Sequence, residues 1–173
     1  MSLVLGIHSS VTKSGSSSNP VKYVSSSQGH AWVSLRATGL VQTYSLYPDN
    51  NPRIIRSGRD VSKKTSDIRK NFEIEERRRA RENRYYTLTD TQLMKFRNLT
   101  RLNVRHRVTE NCASWAAKTV LQVTGERIRA DEYILRFIES PRQLLRHIIK
   151  LESIRQTSID NPLPPILVTK ALE

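Results

Sequence analysis

Two residue types in this chain could together do covalent chemistry: its single cysteine, Cys112, and a strand-borne histidine, His30. A thiolate is a strong nucleophile, and imidazole is the usual base that makes one. One cysteine cannot form an intramolecular disulfide, so Cys112 is either a small buried hydrophobe or a reactive thiol. Its setting favours the second reading. Residues 109–125 form the clearest helical pattern in the chain, with Ala113, Ala116, Ala117, Val120 and Leu121 on one side. Thr109 is the expected N-cap and Gly125 the expected C′ residue. Cys112 then stands at N3, in the first turn, where free N–H groups and the helix dipole favour a thiolate and can hold an oxyanion.

The chain offers four histidines: His8, His30, His106 and His147. His30 follows Gly29 at the start of an alternating segment in which Ala31, Val33 and Leu35 interleave with His30, Trp32 and Ser34, the period of a strand. Residues 40–47 make the next strand. A three-residue hairpin loop, Ala37-Thr38-Gly39, would put Gly39 at the position of positive φ. That register sets Ser34 opposite Gln42, Trp32 opposite Tyr44 and His30 opposite Leu46. Gln42 and Tyr44 would then share a face with His30, and Gln42, followed by Tyr44, becomes the candidate to orient its imidazole. His106 is an alternative partner for Cys112, but Arg105 and Arg107 beside it describe a solvated basic segment. Trp32 and Trp115 are expected in the core or in a cleft wall.

The remaining segments must position this pair. Residues 2–7 and 21–24 are expected as short strands, with polar, Ser-rich links at 9–18 and 25–27. Pro48 and Pro52 bound a break. The stretch 53–84 holds twelve Lys/Arg against six Asp/Glu, so it is a basic insertion, and 68–84 within it is expected to be helical, or at least an excursion. Residues 85–88 form a strand, and Thr89 caps a helix over 90–100. Residues 103–107 are extended or looped. Ser140 and Pro141 fit the N-cap and N1 of a helix through about Leu151, and the tail at 162–165 is extended. The 173 residues suit one catalytic domain, with the basic insertion at about 50–86.

The formal charge is +13, which points to an anionic partner without choosing among nucleic acid, anionic lipid and acidic cell-wall polymer. No apolar run reaches the roughly 18 residues of a membrane span, so membrane insertion is not expected. The first residues lack the basic region and cleavage site of a Sec signal.

Three short segments carry a family resemblance. Gly29-His30-Ala31-Trp32-Val33-Ser34-Leu35, then Thr43-Tyr44-Ser45-Leu46-Tyr47-Pro48, then Asn111-Cys112-Ala113-Ser114-Trp115-Ala116 resemble the permuted NlpC/P60-like, papain-like domains. The histidine precedes the cysteine here, which is the permuted order. Thr124-Gly125-Glu126 and Ser140-Pro141-Arg142 are also similar to such domains, so the resemblance runs from about Gly29 to Ile148. It implies an α+β, papain-like fold in which an antiparallel sheet packs on a helix beginning at the nucleophile. It implies Cys112 as nucleophile, His30 as base, and no metal or other cofactor. It further implies a thiol-dependent amidase or endopeptidase acting on peptidoglycan stem peptides. Such domains occur as secreted antibacterial effectors, type VI secretion included. The resemblance therefore also implies action in a target cell's periplasm and a cognate immunity protein in the producer. Three other functions compete. The first is a basic nucleic-acid-binding protein, favoured by charge and by Tyr85-Tyr86, but without a recognisable binding motif. The others are a thiol acyltransferase of the lecithin:retinol acyltransferase type and a deubiquitinase-like protein peptidase.

Overall fold

The structure is a computed structural model that describes residues 3–11, 29–47, 66–71, 80–107, 109–130 and 139–165. Among these are five strands and three helices. The strands are β1 (Leu3–Val11), β2 (Gly29–Ala37), β3 (Leu40–Leu46), β4 (Ile68–Lys70) and β5 (Glu82–Leu88). The helices are α1 (Asp90–Thr100), α2 (Cys112–Thr124) and α3 (Pro141–Ile154). The strands form one antiparallel sheet in the order β4-β3-β2-β1-β5. The class is α+β, as expected.

One face of the sheet is apolar, and the helices cover it. Leu5 and Ile7 of β1, Ala31 and Val33 of β2, Leu46 of β3 and Tyr86 and Leu88 of β5 meet Phe96 of α1, Ala113, Ala116, Ala117, Val120 and Val123 of α2, and Leu144 and Ile148 of α3. The three alanines of α2 are short enough to bring that helix close to β2, and extra methylenes there would cost about 1–3 kcal/mol in overpacking. The other face carries His8, Trp32, Ser34 and Tyr85, which alternate with those core residues. All four are buried.

Several expected boundaries hold. Thr89 caps α1 through a capping box with Gln92, and Ser140 caps α3 with Pro141 in its first turn. Gly125 ends α2 at a φ of 82°, a left-handed value that favours glycine. Near the tail, Leu163 bridges to Tyr86. Other expectations need correction. β1 extends to Val11, through residues expected in a loop. The expected helix over 68–84 is instead strand at both described ends, in β4 and in the first residues of β5. Asp67 accounts for part of this: its backbone oxygen accepts from Tyr47 N–H (3.0 Å), its N–H donates to Val104 O (2.7 Å), and its carboxylate accepts from His106 N–H (2.8 Å). These bonds draw the chain onto the sheet edge, although its charges show no strand period. The strand expected at 21–24 and the run Arg77-Arg78-Arg79 lie outside the described residues.

The hairpin register also differs. Ala37 pairs with Leu40, so the loop has two residues, Thr38 and Gly39, with positive φ at Gly39. Gly39 is therefore at a left-handed position, but the loop is one residue shorter than expected. A one-residue slip moves every side chain of β3 to the other face. Tyr44 stands opposite Val33 and Gln42 opposite Leu35.

At the outer edge of the helix-covered face, β5 is held by a buried guanidinium. Arg84 grips Glu126 with two bonds of 2.8 and 2.9 Å and Glu152 with one of 2.8 Å, and it donates to Arg155 O. Tyr86 donates to the same Glu126 (2.5 Å). Burial opposes the charge on Arg84, but the carboxylates outweigh it and hold its pKa above the ordinary value. Removing one member of such a buried set strands the others, at about 3–5 kcal/mol. Arg84→Ala should therefore lower the free energy of unfolding in urea by about 3 kcal/mol or more. A loss below about 1 kcal/mol, typical of a surface pair, would contradict this role.

Candidate functional site

Asn111 fixes where α2 begins. Its Oδ1 accepts from the N–H groups of Ala113 (2.9 Å) and Ser114 (3.2 Å), and its own N–H donates to Ser114 Oγ (2.8 Å). Its Nδ2 donates to Glu139 O (2.6 Å), which ties this cap to the entry of α3. The cap is therefore Asn111, not Thr109 as expected, and Cys112 occupies N1, not N3. The physical reason is local. Arg107 and Glu110 exchange backbone hydrogen bonds with each other, ahead of the helix. Asn111 also offers both an acceptor and a donor, where threonine would offer one hydroxyl. At N1 the sulphur still lies at the positive end of the helix.

The structure brings Cys112 and His30 together. The thiol is hydrogen-bonded to the His30 side chain, and the backbone N–H groups of Ala31 and Ala113 also point to the sulphur. Burial is the largest single influence on this thiol and works against its ionisation. The His30 hydrogen bond and charge, with the two N–H groups, together outweigh it and hold the pKa below the ordinary thiol range. The last pair of the β2–β3 ladder is Val33 with Tyr44. Ala31 lies beyond it, where its N–H can serve the sulphur. Cys112 is partly exposed, whereas His30 is 1% exposed.

Glycine and serine shape the same end of the sheet. Gly29 sits where a Cβ would come within 3.0 Å of both Pro141 Cβ and Ser10 O. Its missing side chain lets the start of α3 approach the strand that carries His30. Ser9 Oγ donates to Pro141 O (2.6 Å) and holds it there.

Gln42 and Tyr44 do not join the pair. With the corrected register they lie on the helix-covered face, where the Tyr44 hydroxyl donates to Gln42 Oε1 (2.8 Å) and its ring meets Phe96 edge-on. Burial raises the Tyr44 pKa, with Arg97 acting in the opposite sense. The geometric ground for either residue orienting His30 is gone. Two of the other histidine rings are engaged elsewhere: His147 Nδ1 accepts from the Arg129 N–H, and His8 meets Asn83 and Ser34; the backbone N–H of His106 donates to the Asp67 carboxylate.

Sequence reasoning missed the residues that touch His30. The Tyr47 ring meets it edge-on and Trp32 stacks on it, with centroids 5.6 Å away in each case. Trp32 is two residues along the same strand, so the period placed it beside His30, but spacing does not specify stacking. Asn111 had a usable signal: Ser114 three residues on completes a capping box. Among the described residues no group of three or more His, Cys, Asp and Glu is gathered to hold a metal ion, and no helix is long and apolar enough to cross a membrane.

No family model, curated protein or solved structure matches the chain.

The lowered thiol pKa has a direct kinetic consequence. Alkylation of Cys112 by iodoacetamide should rise with pH around a midpoint below about 8.5, the value of a free thiol. Removing the imidazole leaves burial less opposed, so His30→Ala should raise the midpoint. A wild-type midpoint at or above 8.5 would exclude the activated thiol.

Proposed function

We propose that this chain is a thiol hydrolase of amide bonds, with Cys112 as nucleophile and His30 as base. The observation that carries this reading is the hydrogen bond between a thiol at the first residue of a helix and a buried imidazole on a strand. In the first step His30 takes the Cys112 proton and the thiolate attacks the amide carbonyl. The Asn111 side chain engages the N–H groups of Ala113 and Ser114 but not that of Cys112. The Cys112 N–H is thus suited to the oxyanion. Collapse of the tetrahedral species breaks the C–N bond, and His30 returns its proton to the leaving amine. Water, with His30 again as base, then hydrolyses the thioester and frees a carboxylic acid.

The substrate we propose is the stem peptide of peptidoglycan, on the resemblance of the segments around His30 and Cys112 to permuted NlpC/P60-like domains. The +13 charge suits an anionic cell wall. On the same basis the protein is a papain-like antibacterial effector, acting in a target periplasm and countered by an immunity protein.

Digestion of purified peptidoglycan, read by mass spectrometry, tests this. Wild type should release products with new amine and carboxylate ends. Cys112→Ala should release none. His30→Ala should be slower by about 100-fold or more, the usual contribution of a positioned base. Gln42→Ala and Tyr44→Phe, on the other face, should stay within a few-fold of wild type. Identical profiles from wild type, Cys112→Ala and buffer would rule out the cell-wall substrate.

A further inference from the structure

Trp32 is stacked against two imidazoles. Its ring lies 5.6 Å from that of His30, with 21° between the planes, and 5.4 Å from that of His8, with 25° between them. His8 is directly opposite Trp32 across the β1–β2 ladder. It is held at both nitrogens: Nδ1 lies 2.5 Å from Asn83 Oδ1, and Nε2 lies 2.7 Å from Ser34 Oγ. With Asn83 presenting its carbonyl oxygen, Nδ1 carries the proton and Nε2 accepts from the Ser34 hydroxyl. The Tyr85 ring meets His8 edge-on, so a third strand side chain limits its movement.

Gly6 makes room for this arrangement. A Cβ there would come within 2.7 Å of both His8 Nε2 and Ser34 Oγ. The atoms are those of a serine activated by a histidine, but Ser34 is 1% exposed and His8 3%. No substrate carbonyl can reach the hydroxyl. The work left to Ser34, His8 and Asn83 is to hold the rings beside them.

We propose that Trp32 is a positioning residue for His30, fixing the plane of the imidazole and favouring its charged form, and that His8, locked by Ser34 and Asn83, holds the indole in place. This rests on the reading of Cys112 and His30 as a thiol–imidazole pair. An indole face attracts a cation more strongly than any other side-chain ring, most of all where water is excluded. An imidazolium favoured by the indole in turn favours the thiolate. The His30 ring also meets the Cys112 thiol from α2 and the Tyr47 ring beyond β3.

Two measurements test it. The first is the pH dependence of Cys112 alkylation in wild type, Trp32→Phe, Trp32→Leu and His30→Ala. Trp32→Leu should raise the midpoint toward that of His30→Ala, by about one pH unit, and Trp32→Phe by less. A midpoint that His30→Ala raises but both Trp32 variants leave in place would overturn the proposal while the pair stands. A midpoint unmoved by His30→Ala would defeat the pair itself. Trp32 is buried and its leucine variant could fail to fold, so the second measurement keeps the indole. In a Trp115→Phe background Trp32 is the sole tryptophan, and a protonated imidazole in contact quenches indole emission. Its fluorescence should therefore fall through a step as the pH is lowered. The step should vanish with His30→Ala, and it should move to lower pH with Cys112→Ala, which removes the anion that stabilises the imidazolium. A step indifferent to His30→Ala reports His8 instead and overturns the proposal.

Discussion

The site depends on one clamp, the side chain of Asn111. It caps α2 with its oxygen and grips Glu139 O with its nitrogen, so two helix starts are joined at a single residue. An N-cap alone stabilises by about 1 kcal/mol. The second bond adds position, because Glu139 precedes Ser140 and Pro141, and Pro141 O is held by Ser9 of β1. Gly29 completes the closure by leaving the space that Pro141 fills. Helix starts from α2 and α3 and strand ends from β1 and β2 therefore converge at one end of the sheet. Cys112 and His30 are the residues immediately following Asn111 and Gly29, so each stands one residue from a contact that fixes its backbone.

The two faces of the sheet contribute differently. The helix-covered face supplies most of the hydrophobic burial, and its alanines set how near α2 approaches β2. The opposite face supplies polar bonds and stacked rings, through His8, Ser34, Asn83, Trp32 and Tyr85. A buried polar group without a partner costs about 1–3 kcal/mol, so such a face gains where its groups satisfy one another. The His8 ring meets that demand at both nitrogens. The Arg84 set is a second polar closure, on the helix-covered side of β5. Arg84 stands directly opposite Ile7 and Asn83 opposite His8 on β1, so adjacent residues of one strand anchor opposite faces.

What could be read from the sequence follows from how local each signal is. Thr89 and Ser140 were legible as caps because the capping residue and its partner lie within one turn. The alternation from His30 to Leu35 was legible because a half-buried strand repeats every two residues. The hairpin register was not, since Gly39 at positive φ satisfies a two-residue and a three-residue loop equally, and only the ladder decides. That single residue of slip carried Gln42 and Tyr44 to the wrong face. Thr109 and Asn111 are both acceptable caps by residue type; the bond to Glu139, 28 residues away, separates them. The segment near Asp67 was misread for the same reason. Its place on the sheet comes from bonds to Tyr47, Val104 and His106, which no local pattern encodes. That Cys112 and His30 come together needed only that each stand near the start of its element, which a two-residue error in the cap leaves in place.

Distance decides which charges tune the thiol. The chain's surplus of +13 favours any anion near it, a thiolate included. At physiological ionic strength, however, exposed charges are largely screened beyond about 8 Å. The His30 ring and the N–H groups of Ala31 and Ala113 are in hydrogen-bond contact with a buried sulphur, where screening is weak. The local set must therefore dominate the ionisation of Cys112, and the distant arginines and lysines act mainly on what approaches from outside. The ionisation of the sulphur is thus set by groups packed directly around it, while the long-range field responds to salt.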